Sequence, residues 1–287
     1  MQKVDSINWF PGHMAKGYRQ LKESLLLVDG VLELIDARAP ISSKSPEFEK
    51  IIEHKKRIIL LTKADLILIS ELDKFESFLA EKYNANVVSI NASKPQMLNK
   101  LCPIINLEFK EKLIRNKARG MAGRTLKLMV VGVPNVGKSA LINQLAKAKK
   151  AAVQNKPGVT KIQQWVKIDN NIELLDTPGI LWPKFEDRNV GIKLALIGAI
   201  RDEILDKESL ALELLSILKD KYPDYLKERY SLTEEDLKKA NCKIIEMIGK
   251  KRGVLGARGN VKSERVSALL IDEFRAGKIG KVILDCL

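Results

Sequence analysis

The sequence predicts an α/β fold on a mainly parallel sheet, followed by a smaller part that is helical throughout. Three observations predict it. Strand and helix signals alternate between Val31 and Gly179, as a parallel sheet with crossover helices requires. The apolar run Leu126–Val131 leads straight into a glycine-rich loop, Gly132-Val-Pro-Asn135-Val-Gly137-Lys138-Ser139. After Trp182-Pro183 the apolar residues recur at helical spacing.

Taken in order, the chain opens on Asn8-Trp9-Phe10-Pro11-Gly12-His13-Met14, in which Trp9 and Phe10 read as an anchor packed on the core. A helix is expected over 14–27. Val31 to Arg38 is a strand ending in polar residues, and a helix follows over 46–54. A second strand ends at Thr62-Lys63-Ala64-Asp65, a helix covers 69–82, and a third strand runs from Asn86 to Ala92. Residues 97–114 read as a helix that passes into a basic linker bearing Lys110, Lys112, Arg115, Lys117, Arg119 and Arg124. Beyond the glycine-rich loop, Leu141, Ile142 and Leu145 start another helix. The loop Lys156-Pro-Gly-Val-Thr160-Lys161 then precedes strands around Trp165 and at Asn171–Asp176. Helices are expected over 189–200, 207–219, 233–249 and 263–276, with Leu210, Leu214, Ile217 and Leu218 on one face. The expected division is 1–185 and 186–287.

Composition narrows the partners. Lys and Arg number 50 against 36 Asp and Glu, a net charge of +14, which calls for an anionic partner: nucleic acid first, a membrane surface second. No apolar run approaches the roughly 18 residues of a membrane span, and the N-terminus carries no apolar signal core. Cys102, Cys242 and Cys286 lack zinc-ligand spacing and are odd in number, so a reducing, cytoplasmic setting is expected.

The glycine-rich loop matches the P-loop pattern Gly-x4-Gly-Lys-Ser. Its glycines let backbone N–H groups of Asn135, Val136, Gly137 and Ala140 converge on phosphate oxygens at a helix N-terminus. Lys138 would reach the β- and γ-phosphates and Ser139 would meet Mg²⁺. Asp176-Thr-Pro-Gly179 supplies a carboxylate near Mg²⁺ and, at Gly179, an N–H for the γ-phosphate; Thr160 would complete the metal shell. Thr62-Lys63-Ala64-Asp65 fits [N/T]-K-x-D, whose Asp accepts two hydrogen bonds from guanine that adenine does not offer together. This disfavours an ATP-dependent P-loop kinase. Ser89-Ile90-Asn91-Ala92 stands as the last, looser guanine loop.

In ordinary GTPases the P-loop comes first, whereas here [N/T]-K-x-D and the last guanine loop precede it. In this order the chain resembles the circularly permuted GTPases of the YlqF/RbgA family. The matching pieces are Trp-Phe-Pro-Gly-His-Met (9–14), Asp-Ala-Arg-x-Pro (36–40), Thr-Lys-Ala-Asp, the P-loop, Pro-Gly-Val-Thr (157–160), Asp-Thr-Pro-Gly-Ile and Asp-Glu-Phe-Arg-x-Gly-Lys-x-Gly (272–280). The resemblance implies a Ras-like domain on a six-stranded, mainly parallel sheet, with an all-helical C-terminal domain. It also implies GTP hydrolysis to GDP, and a monomer that acts on the RNA of a precursor large ribosomal subunit and leaves after hydrolysis.

Ile180 occupies the place where Ras-like proteins carry a water-orienting Gln, so catalysis needs a polar group from elsewhere. The resemblance implies His13; a histidine satisfied by backbone beside a Pro-Gly turn is the other reading. Asn135 resembles the asparagine of GTPases that bind K⁺ beside the phosphates, and is equally a turn former. Lys250, Lys251, Arg252, Arg258, Lys262 and Arg265 form either a solvated basic face or an RNA-phosphate contact. A non-ribosomal RNA-binding module with a regulatory GTP site is the alternative function.

Overall fold

The computed structural model describes residues 12–91, 100–121, 123–150, 164–182, 185, 187–255 and 260–287, with the side chains of 12–15 and 147–150 outside the description. The strands are β1 (Gly30–Asp36), β2 (Arg57–Thr62), β3 (Asn86–Ser89), β4 (Leu126–Gly132), β5 (Gln164–Asp169) and β6 (Ile172–Asp176). They form one six-stranded sheet in the order β3-β2-β1-β4-β6-β5. All neighbours are parallel except β5, which lies antiparallel on β6 at the edge.

Strand alternation sends side chains to two faces. Val31 and Ile35 of β1 and Met129 and Val131 of β4 face one way. There they meet α1 (Gly12–Leu25) through Leu21 and Leu25, α2 (Pro46–Ile52) through Phe48 and Ile52, and α3 (Ile69–Tyr83) through Phe75 and Leu79. Leu32, Leu34, Leu128 and Val130 face the other way, onto α4 (Leu101–Glu108) and α6 (Lys138–Lys150). Gly30 is obligatory: a Cβ there would lie 2.3 Å from the Phe109 ring.

The expected helix over 97–114 reaches further than its sequence suggests. Past α4 the chain turns at the buried Phe109 and continues as α5 (Lys110–Ala118), so most of the basic linker is helical.

The C-terminal part contains α7 (Arg188–Leu196), α8 (Lys207–Lys221), α9 (Pro223–Tyr230), α10 (Glu234–Leu237), α11 (Asn241–Lys251) and α12 (Ser263–Arg275). The helix expected over 233–249 is two helices. Thr233 and Asp236 close a capping box on one short turn, and Ala240 is extended. Bonds to α8 hold this break: Lys219 Nζ donates to Lys239 O at 3.0 Å, and Asn241 Nδ2 donates to Leu212 O and Ser216 Oγ. The apolar cluster beneath α4 and α6 runs on into these helices without interruption. The last residues return to the loop between β1 and α2. Leu284 N–H donates to Arg38 O, and buried Asp285 accepts from the N–H groups of Ile41 and Ser42 and from Lys193.

Among the described residues no helix is long and apolar enough to cross a membrane. All three cysteines are free thiols.

Candidate nucleotide-binding site

The parallel register sets Asp36 beside Thr62, Leu34 beside Gly132, and Val130 beside Asp176. The carboxyl ends of β2, β1, β4 and β6 therefore form one rim. From β1 the chain winds outward one way to β2 and β3, and from β4 the other way to β6. The rim between β1 and β4 is the switch point at which open α/β sheets bind ligands.

The P-loop crosses this point. Asn135 (φ 57°) and Gly137 (φ 112°) take left-handed conformations, which turns successive backbone N–H groups inward above the start of α6. Lys138 opens that helix and is only 6% exposed, with Nζ donating to Gly132 O at 2.9 Å and Val133 O at 2.8 Å. Burial pushes its ammonium pKa down to about 7 against the opposing pull of Asp176. Ser139 Oγ lies 3.4 Å from Asp176 Oδ2, so a hydroxyl and a carboxylate, hard donors of the kind Mg²⁺ takes, stand together. Thr177 holds the next turn by donating to Val130 O at 2.5 Å. Gly179 packs on the loop so closely that a Cβ would lie 2.6 Å from Pro134 Cα and 3.0 Å from Lys138 Nζ. A buried, desolvated lysine, a backbone cradle and adjacent oxygen donors fit a nucleoside phosphate with Mg²⁺.

Thr62-Lys63-Ala64-Asp65 reaches the same place from the other half of the sheet. Thr62 Oγ1 donates to Val136 O at 2.7 Å, and Ile35 O lies 3.1 Å away. Lys63 is left-handed and sends Nζ to Asn135 O at 3.0 Å and Asp36 Oδ2 at 2.8 Å. Ala64 N–H donates to Ile90 O, which joins this turn to the Ile90-Asn91 loop, where Asn91 is buried. Asp65 is the middle residue of the 3₁₀ turn Ala64–Leu66 and is exposed at the rim. Thr62 and Lys63, expected from the motif to recognise guanine, brace the phosphate loop.

The Asn135 side chain is turned toward the helical part, Nδ2 donating to Gly198 O at 2.7 Å. Asp36 and Arg38 were legible only as the motif Asp-Ala-Arg-x-Pro, and they join Lys63 beneath the rim. Ile180 is 2% exposed in an apolar cluster with Leu21, Leu25 and Leu175. His13 is the second residue of α1, one helical turn before Gly17. The His13 side chain, Ala92, Thr160 and Arg258 lie outside the described residues.

Lys250, Lys251, Arg252, Lys262 and Arg265 are exposed and flank the bridge between Leu255 and Val261. Arg252 also works within the fold, donating to Arg229 O at 3.1 Å and lying 5.3 Å from the Tyr230 ring centre.

Sheet order, P-loop and the preceding Thr-Lys-Ala-Asp together define a GTPase whose motifs run in circularly permuted order. The family described as 50S ribosome-binding GTPase matches residues 127–254, a span that begins at the P-loop strand and omits Thr62–Asp65, which this rearrangement moves ahead of it. A protein from Bacillus cereus, "Ribosome biogenesis GTPase A", is 44% identical over 97% of this chain and 93% of its own. Two solved structures are each 25% identical. GDP-bound TM YlqF has a TM-score of 0.65 over 93% of this chain and 98% of its own. GNP-bound YlqF from T. maritima has a TM-score of 0.63 over 94% and 97%. The chain belongs to the ribosome biogenesis GTPase A family and is a guanine-nucleotide-binding GTPase.

Proposed function

We propose that this GTPase docks on a precursor of the large ribosomal subunit through ribosomal RNA, promotes a late assembly step, and leaves after hydrolysing GTP. In this reading residues 1–185 bind nucleotide and 186–287 contact RNA, and the protein acts as a cytoplasmic monomer. Thr62, Lys63, Ala64, Asp65, Asn91 and Ala92 recognise guanine. Asn135, Val136, Gly137, Lys138, Ser139, Ala140, Thr160 and Gly179 hold the phosphates. Ser139, Thr160 and Asp176 hold Mg²⁺, and Asn135 contributes its side-chain oxygen to K⁺. Bound metal would offset charge developing on the phosphates. Lys250, Lys251, Arg252, Arg258, Lys262 and Arg265 meet the RNA backbone.

The burial of Ile180 carries the hydrolytic part of this reading. An apolar side chain sealed into the core beside Asp176-Thr-Pro-Gly179 cannot orient water, so turnover waits on another group. His13 supplies it in this reading, its neutral imidazole orienting water or accepting its proton near pH 7. Family membership and the exposed basic residues around the Leu255–Val261 bridge support the ribosomal RNA partner.

Co-sedimentation with precursor large subunits, comparing a non-hydrolysable GTP analogue with GDP, tests it. Binding is expected with the analogue and release with GDP. Binding indifferent to nucleotide would favour an RNA-binding module outside the ribosome.

A further inference from the structure

Two sequence motifs far from each other, Asp36-Ala-Arg38-x-Pro and Asp272-Glu-Phe-Arg275-x-Gly, have no part in the nucleotide chemistry above, yet the fold joins them directly beneath the phosphate loop. Arg38 is 2% exposed. Its Nε and Nη2 grip the two oxygens of buried Asp36 at 2.9 and 2.8 Å, the bidentate arrangement in which such pairs are strongest. Its remaining N–H groups reach the ends of two helices of the C-terminal part, Nη1 to Arg275 O at 3.2 Å and Nη2 to Ile197 O at 3.4 Å. The guanidinium also lies 5.5 Å from the Phe274 ring centre.

From Asp36 the contacts continue to the P-loop. Lys63 Nζ bridges Asp36 Oδ2 and Asn135 O, while the Asn135 side chain bonds Gly198 O, next to Ile197. Arg38, Asp36, Lys63, Asn135 and the Ile197–Gly198 turn thus close a ring. The turn itself is held rigidly. Gly198 is left-handed (φ 82°) at the end of α7, with Ala199 N–H returned to Leu194 O at 2.8 Å. Arg275 caps the last carbonyls of that helix, with Nε to Leu196 O at 3.1 Å and Nη2 to Ala195 O at 2.8 Å, and is itself pinned by Asp202.

We infer that Arg38 and Arg275 are positioning residues for the nucleotide site: they fix the Ile197–Gly198 turn against the P-loop, so that Asn135 is held by its side chain from the helical part and by its carbonyl from Lys63. A loop that binds phosphate through backbone N–H groups depends on such pre-setting, because an unbraced left-handed residue must be ordered when ligand arrives. Neither arginine touches nucleotide; both act through Asn135.

The test compares GDP affinity, single-turnover GTP hydrolysis and thermal melting for Arg275→Gln and Arg38→Lys, each alone and combined with Asn135→Ala. Arg38→Lys keeps the charge on Asp36 but loses the fork that reaches Ile197 O and Arg275 O. Each single variant should weaken GDP binding by between about twofold and thirtyfold, the range of residues that act through a shared network. In the Asn135→Ala background the further fold-loss from Arg275→Gln should be clearly smaller than the loss it causes alone, because the link it acts through is already cut. Folded Arg275→Gln or Arg38→Lys protein with wild-type affinity would overturn the inference. So would equal fold-losses in both backgrounds, which mark a general structural effect.

Discussion

Gly17 of α1 lies against Ile180, where a Cβ would come within 3.3 Å of Ile180 Cδ1 and 3.9 Å of the Pro178 ring. The helix whose first turn contains His13 is therefore seated on the residues that follow the Asp-x-x-Gly strand end. If His13 is the catalytic group, His13→Ala should leave GTP affinity within about twofold. It should abolish most subunit-stimulated turnover and trap the protein on the subunit. Unstimulated hydrolysis should stay near the roughly 10⁻⁴ per second of an unassisted site in both proteins. Full stimulated activity in the variant would return His13 to a structural role.

The same contact predicts that Ile180→Gln does not restore a Ras-like mechanism. The amide would be buried among Leu21, Leu25 and Leu175. Burial of an unsatisfied amide costs about 1–3 kcal/mol. A lower melting temperature without faster hydrolysis is expected; a faster intrinsic rate would mean that the side chain escapes the cluster.

Asp65 is exposed at the rim, and in the proposed function its carboxylate accepts from guanine. Asp65→Asn should weaken GTP at least tenfold and improve xanthosine triphosphate, since an amide offers a donor to the 2-oxo group. Competition binding with both nucleotides reads this directly. An unchanged preference for GTP would remove Asp65 from base recognition.

Lys138 predicts a proton linkage. Burial lowers its free-state pKa to about 7, so above that pH the ammonium is largely deprotonated, and phosphate charge would draw the proton back. Nucleotide binding should then take up close to one proton at about pH 8, and affinity should fall as pH rises beyond 7. In the nucleotide-free protein the sign is opposite: the unfolded chain holds that proton up to about pH 10, so this group's contribution to stability grows with pH between 7 and 10. Calorimetry in two buffers of different ionisation heat measures the uptake, and zero uptake would contradict the lowered value.

In the proposed function the Asn135 side-chain oxygen meets K⁺ while Nδ2 donates to Gly198 O. Hydrolysis should run faster in K⁺ than in Na⁺ at equal ionic strength, and Asn135→Ala should erase that ratio. Equal rates in both salts for the unaltered protein would reject the ion.

Much of this protein is determined locally. The strand periods, the P-loop glycines and the polar strand ends at Thr62 and Asp176 follow from side-chain alternation and backbone conformation, which neighbours in sequence decide. The placement of Thr62–Asp65 ahead of the P-loop could be read as a rearranged order because each motif carries its own chemistry wherever it stands. Contacts between distant segments were not legible. The sequence reads 233–249 as one helix, and the bonds from Lys219 and to Leu212 and Ser216 hold the break that divides it. Likewise Arg38 and Arg275 are 237 positions apart, and nothing local says that one donates to the other's carbonyl. Arg38 is held buried by Asp36 and by carbonyls of helices formed long after it in the chain. Such a charge is tolerated only where the tertiary structure brings every partner to it, so its role is decided by the fold as a whole.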